Sequence, residues 1–406
     1  MTVWTHAARS ALVVLCTALL VVACDDLLTS PPDDRDVLDG PLPGLTPEEL
    51  TVFLRGDGEF ERAFAPADGL GPIFNNPSCA GCHSGDGRGR PENALTRFGA
   101  PPDLARAVGG PQLQTQATDG AIPEVLPPGQ PTSVRLPPPV FGVGLIEHIP
   151  VETILALADS LDADGDGISG RPNWVTPAPW VPATELGGGE GPQLGRFSRK
   201  GQVSTLIQQS VEAYLQDMGI TSDFLPQENW NPQSGASTQA ADRAPDPEVP
   251  ESTVRAVVDY IRMLAPPAPG EDTPRRVRGR AVFSEVGCAS CHVPQLLTGP
   301  SRIAALSTVP ATLYSDLLLH DMGEELADDR PDGSATGREW KTAPLWGLRV
   351  MPDFLDGDVF LLHDGRAHSV AEAIELHGGE GGGARDRFRA LTAEDRAALL
   401  DFVESR

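Results

Sequence analysis

Apolar side chains recur at helical spacing in three segments of the chain. In residues 203–218 they lie three or four positions apart and Gly219 follows, which predicts an amphipathic helix with a glycine end. Residues 253–264 and 392–403 show the same spacing, and Pro266 prevents the earlier of these from continuing. Between such segments the chain is rich in glycine and proline, with 43 and 40 residues, well above ordinary usage. We therefore expect a mainly α fold of short helices and long ordered loops, with little β-structure.

Changes in composition along the chain predict two folded domains behind a leader and a stalk. Residues 25–44 contain closely spaced prolines and aspartates, which are typical of a flexible stalk. Residues 227–251 are polar and rich in proline, serine and alanine, as expected of a linker between domains. We place an N-terminal domain at residues 45–250 and a C-terminal domain at residues 251–406, each of ordinary size.

The first 24 residues have the composition of an export signal. Arg9 precedes the apolar run 11–23, which has the length of a signal-peptide core and is too short to cross a bilayer as a helix. The run ends in Val-Val-Ala-Cys24, which looks like a bacterial lipobox. A lipidated Cys24 would anchor the protein in the periplasm or at the cell surface. An ordinary signal peptide cleaved nearby is the alternative.

One cysteine motif occurs twice, each time with a phenylalanine five residues before its first cysteine. The two copies are Cys79-Ala-Gly-Cys82-His83 and Cys288-Ala-Ser-Cys291-His292. C-x-x-C-H is the attachment signature of a c-type haem, in which the two thiols bond to the porphyrin and the histidine binds the iron. The repeated motif predicts two covalently bound haems, called here the first haem and the second haem in chain order.

The cysteine count and the charge narrow the other interpretations. Of the six cysteines, only Cys16 and Cys24 lie outside the motifs, so the predicted domains have no thiol left for a structural disulfide. A shared zinc site and redox-active cysteine pairs are the alternatives, but a histidine directly after both pairs in an exported chain favours haem. The net charge of −26 argues against nucleic acid and predicts that a charge-steered partner is basic.

Several further segments follow in a fixed order between residues 45 and 406. They are Gly71-Pro-Ile-Phe-Asn-Asn76, Asp162-Ala-Asp-Gly-Asp-Gly-Ile-Ser-Gly-Arg171, Gly195-Arg-Phe-Ser-Arg-Lys200, Gln216-Asp-Met-Gly-Ile-Thr221, Tyr314-Ser-Asp-Leu-Leu-Leu-His-Asp-Met-Gly323, Glu339-Trp-Lys-Thr-Ala-Pro-Leu-Trp-Gly347 and Leu362-His-Asp-Gly-Arg366. Together they resemble the bacterial di-haem oxidoreductase family, whose members are labelled peroxidases or thiol oxidoreductases. That family is distantly similar to di-haem cytochrome c peroxidases. The resemblance implies two cytochrome c-like domains, and it leaves the substrate open.

His377 is our candidate for the sixth ligand of the second haem. It lies on the apolar face at the end of a short helix that a capping box is predicted to start. The resemblance adds that related di-haem peroxidases carry a distal ligand, usually methionine, fourteen residues after a His-x-Gly segment, and His377 stands fourteen residues after His363. His320 and Met322 are rival ligands. The simpler alternative is that His377 only binds the last carbonyl groups of its helix.

Two adjacent residues are candidates at the first haem. In one interpretation the iron has an open face, and Glu147 is the acid–base group that moves a proton during O–O cleavage. In another, His148 is the sixth ligand and the haem only carries electrons or must switch state. The third possibility is that both are ordinary loop residues.

A separate acidic segment predicts a calcium loop. Asp162, Asp164 and Asp166 stand at positions 1, 3 and 5 with Gly167 at position 6, as in an EF-hand loop. The segment departs from that pattern at position 12, where Asn173 replaces glutamate. A solvated Asp-Gly turn without an ion is the alternative.

These features together predict an exported, peroxidase-like di-haem c-type cytochrome oxidoreductase. Electrons would enter at the second haem from a small donor protein or the quinol pool and pass to the first haem. Hydrogen peroxide or a similar small oxidant would be reduced there, with membrane contact through the lipid anchor only. The alternatives are a non-enzymatic electron-transfer lipoprotein with both irons six-coordinate, or an enzyme that oxidises a protein or thiol partner.

Overall fold

The computed structural model describes residues 38–83, 85, 87–187, 189, 191–234, 240–328 and 330–406. The predicted signal peptide with Cys24 and most of the predicted stalk lie outside the described residues, so the interpretations made for them stay predictions. Leu38–Arg406 forms one compact unit. Among the described residues, no helix combines the length and the apolar character that crossing a membrane requires.

Helices provide most of the regular structure in the described residues, which confirms the predicted mainly α class. The α-helices are α1 Pro47–Glu61, α2 Cys79–Cys82, α3 Val143–His148, α4 Val151–Leu155, α5 Leu206–Met218, α6 Glu251–Met263, α7 Pro274–Glu285, α8 Met351–Phe354, α9 Val370–Glu375, α10 Gly382–Arg389 and α11 Ala393–Glu404. Single turns of 3₁₀-helix lie at Pro66–Asp68, Pro91–Asn93, Arg106–Val108, Ala183–Glu185, Cys288–Ser290, Ala304–Leu306, Glu324–Leu326 and Gly379–Gly381.

The strands of the described chain are short and pair in antiparallel twos. They are β1 Ile73–Phe74, β2 Leu95–Phe98, β3 Gln116–Ala117, β4 Thr132–Arg135, β5 Trp174–Val175, β6 Gln193–Leu194, β7 Leu296–Leu297, β8 Pro310–Ala311, β9 Leu319–Asp321 and β10 Glu339–Lys341. The pairs are β1 with β3, β2 with β4, β5 with β6, β7 with β8, and β9 with β10. Strands this short hold neighbouring loops together and do not form a continuous sheet.

The helix ends follow the local sequence signals. The Thr46 hydroxyl accepts a hydrogen bond from the Glu49 backbone at 3.1 Å, and the Glu49 carboxylate accepts one from the Thr46 backbone at 2.8 Å, which completes a capping box at the start of α1. The Thr205 side chain caps α5, and Gly219 ends that helix with a φ of 67°. Glycine adopts this left-handed conformation without the strain that a Cβ would add.

Two hydrophobic clusters fill the core. In the first, Phe53 and Phe60 of α1 contact Tyr260 of α6, with ring centroids 4.8 and 5.4 Å apart. In the second, Phe283 of α7 contacts Phe402 of α11 with centroids 5.5 Å apart. The division at residue 250 stays a prediction, but α6, which we assigned to the C-terminal domain, packs within the first cluster. Each cysteine motif therefore lies beside its own group of packed helices.

Candidate haem sites

The second cysteine motif follows directly after α7. Gly287 turns the chain with a φ of 84°, and Cys288–Ser290 forms a single 3₁₀ turn. His292, which follows Cys291, is held by a hydrogen bond between its Nδ1 atom and the Tyr314 carbonyl at 2.9 Å. A proton on Nδ1 leaves Nε2 as the free lone pair, which is how proteins commonly orient a metal-binding histidine.

The second cavity lies against this motif and encloses about 1480 Å³, including its mouth. Its walls are mainly apolar and come from α7, α9, α11 and the loops before α8 and α9. Cys288, Cys291 and His292 line it together with His377. The two thiols and the imidazole that a c-type haem requires therefore open into one apolar chamber.

His377 lines the second cavity, and its ring also contacts the last turn of α9, as the simpler alternative predicts. Its Nδ1 atom lies 2.6 Å from the Ala373 carbonyl, so Nε2 is again left for another partner. Burial lowers the pKa of His292 to about 4, although the hydrogen bond to the Tyr314 carbonyl acts in the opposite direction. Burial also lowers the pKa of His377. Both rings are thus held in the neutral form that binds metal, in one cavity.

His320 and Met322, the rivals of His377, differ in whether they are free to bind iron. Both ring nitrogens of His320 are occupied, Nε2 by Asp316 at 2.8 Å and Nδ1 by Glu380 at 2.6 Å. Burial alone would lower the pKa of His320, but its hydrogen-bond partners outweigh burial and raise it to about 12. A charged imidazole has no lone pair to give to iron. Met322 lines the cavity and remains a rival.

The first cysteine motif forms the short helix α2. The Ser78 hydroxyl caps it by accepting a hydrogen bond from the Gly81 backbone at 2.9 Å. Burial lowers the pKa of His83 to about 4, although the nearby carbonyls of Pro138 and Gly87 act in the opposite direction. Nδ1 of His83 is buried, yet none of the described groups reaches it with good hydrogen-bond geometry. This ring is therefore less firmly oriented than that of His292.

The first cavity encloses about 1340 Å³, and Cys79, Cys82 and His83 line it. The helix α5 supplies Tyr214, Asp217 and Met218 to its wall, beside Gln209 and Ser210, and the sequence analysis identified none of them as site residues. Tyr214 and Met218 continue the spacing of the apolar positions in residues 203–218, and this was the available signal.

The polar groups on α5 are enclosed. Burial raises the pKa of Asp217 to about 6, and a hydrogen bond from Gln112 limits the rise. The Tyr214 hydroxyl is buried and has no hydrogen-bond partner among the described residues. The first cavity therefore contains a carboxyl group that titrates near neutral pH and a thioether, Met218, but no imidazole besides His83 in its described lining.

Glu147 and His148 do not line either cavity in the described structure. The Glu147 carboxylate forms an ion pair with Arg262 at 2.6 Å and accepts a hydrogen bond from the Leu206 backbone at 3.3 Å. His148 uses Nδ1 with the Gly144 carbonyl at 2.8 Å and Nε2 with the Ser301 hydroxyl at 3.0 Å. This geometry favours a structural role for both residues. The acid–base role of Glu147 stays a prediction.

The acidic loop groups different residues from those predicted. Carboxylate oxygens of Asp159, Asp162 and Asp164 lie within 4.8 Å of one another, so Asp159 takes the place expected for Asp166. Asp166 instead accepts a hydrogen bond from the Ile168 backbone at 2.8 Å. Backbone N–H groups of the loop also bind Asp159 and Asp162. These bonds account for the turn without an ion, and calcium binding stays a prediction.

A family model described as "Di-haem oxidoreductase, putative peroxidase" matches residues 35–97 and 130–406. The chain belongs to the di-haem oxidoreductase family. Membership implies two haems, in agreement with the two cysteine motifs and the two cavities. No curated protein matches the chain.

Solved structures similar to this di-haem oxidoreductase are distant. One is a hydrazine synthase of Kuenenia stuttgartiensis pressurised with xenon, 13% identical, with a TM-score of 0.41, covering 93% of this chain and 96% of that one. Another is a MauG-like protein associated with microbial copper homeostasis, 12% identical, with a TM-score of 0.29, covering 66% of this chain and 87% of that one.

The residues of this di-haem oxidoreductase fit the haems that the family implies. Each cavity has two thiols, a neutral imidazole and apolar walls. Cys79, Cys82 and His83 would hold the first haem, and Cys288, Cys291 and His292 the second. Both cavities are also lined by cations that have no carboxylate within ion-pair distance among the described residues, and haem propionates are carboxylates.

Proposed function

We propose that this di-haem oxidoreductase is a peroxidase-like enzyme with two unequal haem sites, one for electron transfer and one for reduction of hydrogen peroxide or a similar small oxidant. One observation carries the proposal. Of the histidines that line the second cavity, His292 and His377 each have Nδ1 bound to a backbone carbonyl, whereas the described lining of the first cavity offers only His83. An iron with two protein ligands carries electrons, and an iron with one can bind an oxidant.

When bound, the haems supply one-electron transfer and, at an open iron position, the reduction of peroxide. The chain supplies the environments that make the two positions different. At the second site, the carbonyl groups of Tyr314 and Ala373 fix the tautomers of His292 and His377. At the first site, Phe141 and Val143 belong to the apolar wall that excludes water, and Asp217 can hold or release a proton near neutral pH.

The leader and the charge support proposals on location and partners. We infer export with a lipid anchor at Cys24, because the apolar run and the lipobox-like sequence precede the folded chain. The electron donor would be a small protein or the quinol pool. Since the chain carries a net charge of −26, a protein donor is expected to present basic residues.

The test is spectroscopy of the purified holoprotein. A pyridine haemochrome assay should find two covalent haems for each chain. In the half-reduced protein, EPR and visible spectra should show one low-spin haem that ignores cyanide and peroxide, and one haem that responds to both. Two low-spin haems that ignore both reagents would contradict the peroxidase proposal.

A second function is favoured by Met218. Its side chain is buried and lines the first cavity, and a methionine thioether is a common sixth ligand of electron-transfer haems. With Met218 bound, both irons would be six-coordinate and the protein would only carry electrons. Met218→Leu separates the two functions: it should convert a low-spin first haem to high-spin only if Met218 is the ligand.

A further inference from the structure

Three cationic side chains separate the two cavities. Arg88, Arg199 and Lys341 each line both the first and the second cavity, together with Ala343 and Pro344. We call these five residues the shared wall. The Lys341 backbone N–H donates a hydrogen bond to the Arg199 carbonyl at 3.1 Å, so two of the three cations lie on adjoining segments of chain. The shared wall is thus a positively charged partition within a strongly acidic protein.

The cations of the shared wall have no carboxylate within ion-pair distance among the described residues. Arg88 donates to the carbonyls of Phe360 and Leu362, each at 3.0 Å, and its Nε atom is buried without a partner. Within the described chain, the Arg199 side chain donates only to the Leu136 carbonyl, from Nε at 3.1 Å and from Nη2 at 2.9 Å. These carbonyl groups satisfy some N–H donors, but they do not neutralise the charges.

No described side chain forms a hydrogen bond or an ion pair with the ammonium group of Lys341. Asp316 and Asp364 favour the charged forms of Lys341 and Arg199 from a distance. Asp316 is engaged with His320, and Asp364 with Arg366 at 2.6 Å. The nearest carboxylates are therefore already committed to other partners.

The electrostatic cost of this arrangement is visible in the pKa values. Burial lowers the pKa of Arg88 to about 10 and that of Lys341 to about 8, with Arg199 adding repulsion in the second case. Burial, Arg88 and Arg135 together bring the pKa of Arg199 well below its usual range. Enclosed charges without counter-charges destabilise a folded protein. An anionic ligand that enters both cavities would remove that cost.

We infer that propionate groups of both haems meet at the shared wall, so that Arg88, Arg199 and Lys341 are common counter-charges for the two sites. The inference rests on the proposed placement of one haem in each cavity. The vinyl groups that bond to the cysteines and the propionates lie on different edges of a porphyrin, so the attached edge leaves the propionates free to reach another wall. Arginine binds carboxylates in paired hydrogen bonds, and lysine binds them as a point charge.

A shared set of cations couples the two haems. Reduction of an iron adds a negative charge, and a nearby cation stabilises the reduced form. Each cation of the shared wall should therefore raise both reduction potentials. A cation that lines only one cavity should act mainly on the haem in that cavity. Arg385 lines the second cavity alone and so provides a matched comparison.

The experiment is a spectroelectrochemical titration of both haems in the holoprotein of three variants. Lys341→Met removes the charge and keeps the length of the side chain, which has no described hydrogen bond to lose. It should lower the reduction equilibrium constants of both haems by about tenfold, which is about 59 mV for a one-electron couple. Lys341→Arg should retain both potentials near the wild-type values. Arg385→Met should lower only the potential of the second haem.

The outcomes separate the inference from the haem assignment. If Lys341→Met binds two covalent haems and shifts one potential or none, the shared wall does not serve both sites and the inference is overturned. If the wild-type protein has no covalent haem in a pyridine haemochrome assay, the proposed placement itself fails. Lys341→Gln provides the same test if the methionine variant does not accumulate.

Discussion

The two haem sites use the same five-residue motif but differ in the surroundings of the histidine. Nδ1 of His292 is fixed by the Tyr314 carbonyl at 2.9 Å, whereas Nδ1 of His83 has no described hydrogen bond of good geometry. The second cavity adds His377, and the first adds Met218 instead. The motif thus determines attachment at both sites. Residues far along the chain determine what each attached group can do.

The two sites also differ in the direction in which the pKa of a carboxyl group is shifted. At the first cavity, burial raises the pKa of Asp217 to about 6. At the second, burial alone would raise the pKa of Glu380, but hydrogen bonds from His320, Ser169 and the Asp321 backbone outweigh burial and lower it to about 2. The first site therefore has a carboxyl that can exchange a proton near neutral pH. The second has a fixed ionic network that stays charged.

Removal of either cysteine pair should cause the largest change in the haem content and spectra of the protein. Cys288→Ala with Cys291→Ala should leave one covalent haem in each chain, and Cys79→Ala with Cys82→Ala should do the same. The chain that retains only the second haem should show a low-spin spectrum that ignores peroxide. Pyridine haemochrome assays and intact mass measure attachment, and EPR measures the spin state. Identical spectra from the two single-haem proteins would contradict the proposed asymmetry.

His377→Ala should change the second site alone. The loss of its imidazole opens the sixth position of the iron, so the low-spin EPR signal of the second haem should become high-spin. Met322→Leu is the matched control, because Met322 lines the same cavity and its replacement should leave that signal unchanged. A high-spin signal in the control, with no change in His377→Ala, would assign the ligand to Met322.

The two carboxyl groups predict opposite responses of stability to pH. The pKa of Asp217 is raised in the folded protein. Its contribution to the free energy of unfolding is therefore complete below the pKa of an unfolded aspartate, about 3.9, and is lost as pH rises through about 6. Glu380 has a lowered pKa, so its contribution is present above about 4.3 and is lost as pH falls towards about 2. Each carboxyl should affect the free energy of unfolding by about 1–3 kcal/mol.

Thermal unfolding of the holoprotein between pH 3 and pH 8 measures both responses. Asp217→Asn should reduce the loss of stability above pH 6 and leave the loss of stability at acid pH unchanged. Glu380→Gln should reduce the pH dependence of the acid limb and lower stability at neutral pH, because His320 loses a charged partner. If Asp217→Asn leaves the profile between pH 5 and pH 8 unchanged, the carboxyl does not titrate there.

Local signals in the sequence predicted the parts of the site that depend on local chemistry. The two C-x-x-C-H motifs and the apolar periodicity of α5 follow from neighbouring residues, and the structure bears out the α5 helix. His377 was found because its helix starts at a capping serine and presents one face. By contrast, the shared wall joins Arg88, Arg199 and Lys341 from three distant segments. No periodicity links them, so only the tertiary structure could reveal it.

Glu147 shows that the separation of two residues along the chain does not determine whether they lie together in the structure. The resemblance to di-haem peroxidases makes Glu147 a candidate, since it stands at about the distance from the first motif where they carry a distal acid, but packing of α3 against α6 directs its carboxylate to Arg262. In the ion pair, the side chains of Glu147 and Arg262 are only 16% and 15% exposed. Sequence separation alone could not distinguish that ion pair from a position in the cavity.

Glu147→Gln should therefore change the properties of the two haem sites less than the other substitutions do. Arg262 keeps Glu185 at 3.1 Å and Asp259 at 3.2 Å, so we expect a loss of about 1 kcal/mol in unfolding free energy. The rate of peroxide reduction should stay within about twofold of wild type, since a factor of two corresponds to only about 0.4 kcal/mol of activation free energy. Arg262→Gln breaks the same ion pair without touching Glu147 and serves as the control. If Glu147→Gln slows peroxide reduction a hundredfold while Arg262→Gln does not, Glu147 reaches the first iron during turnover. The first site would then have two carboxyl groups available for proton transfer.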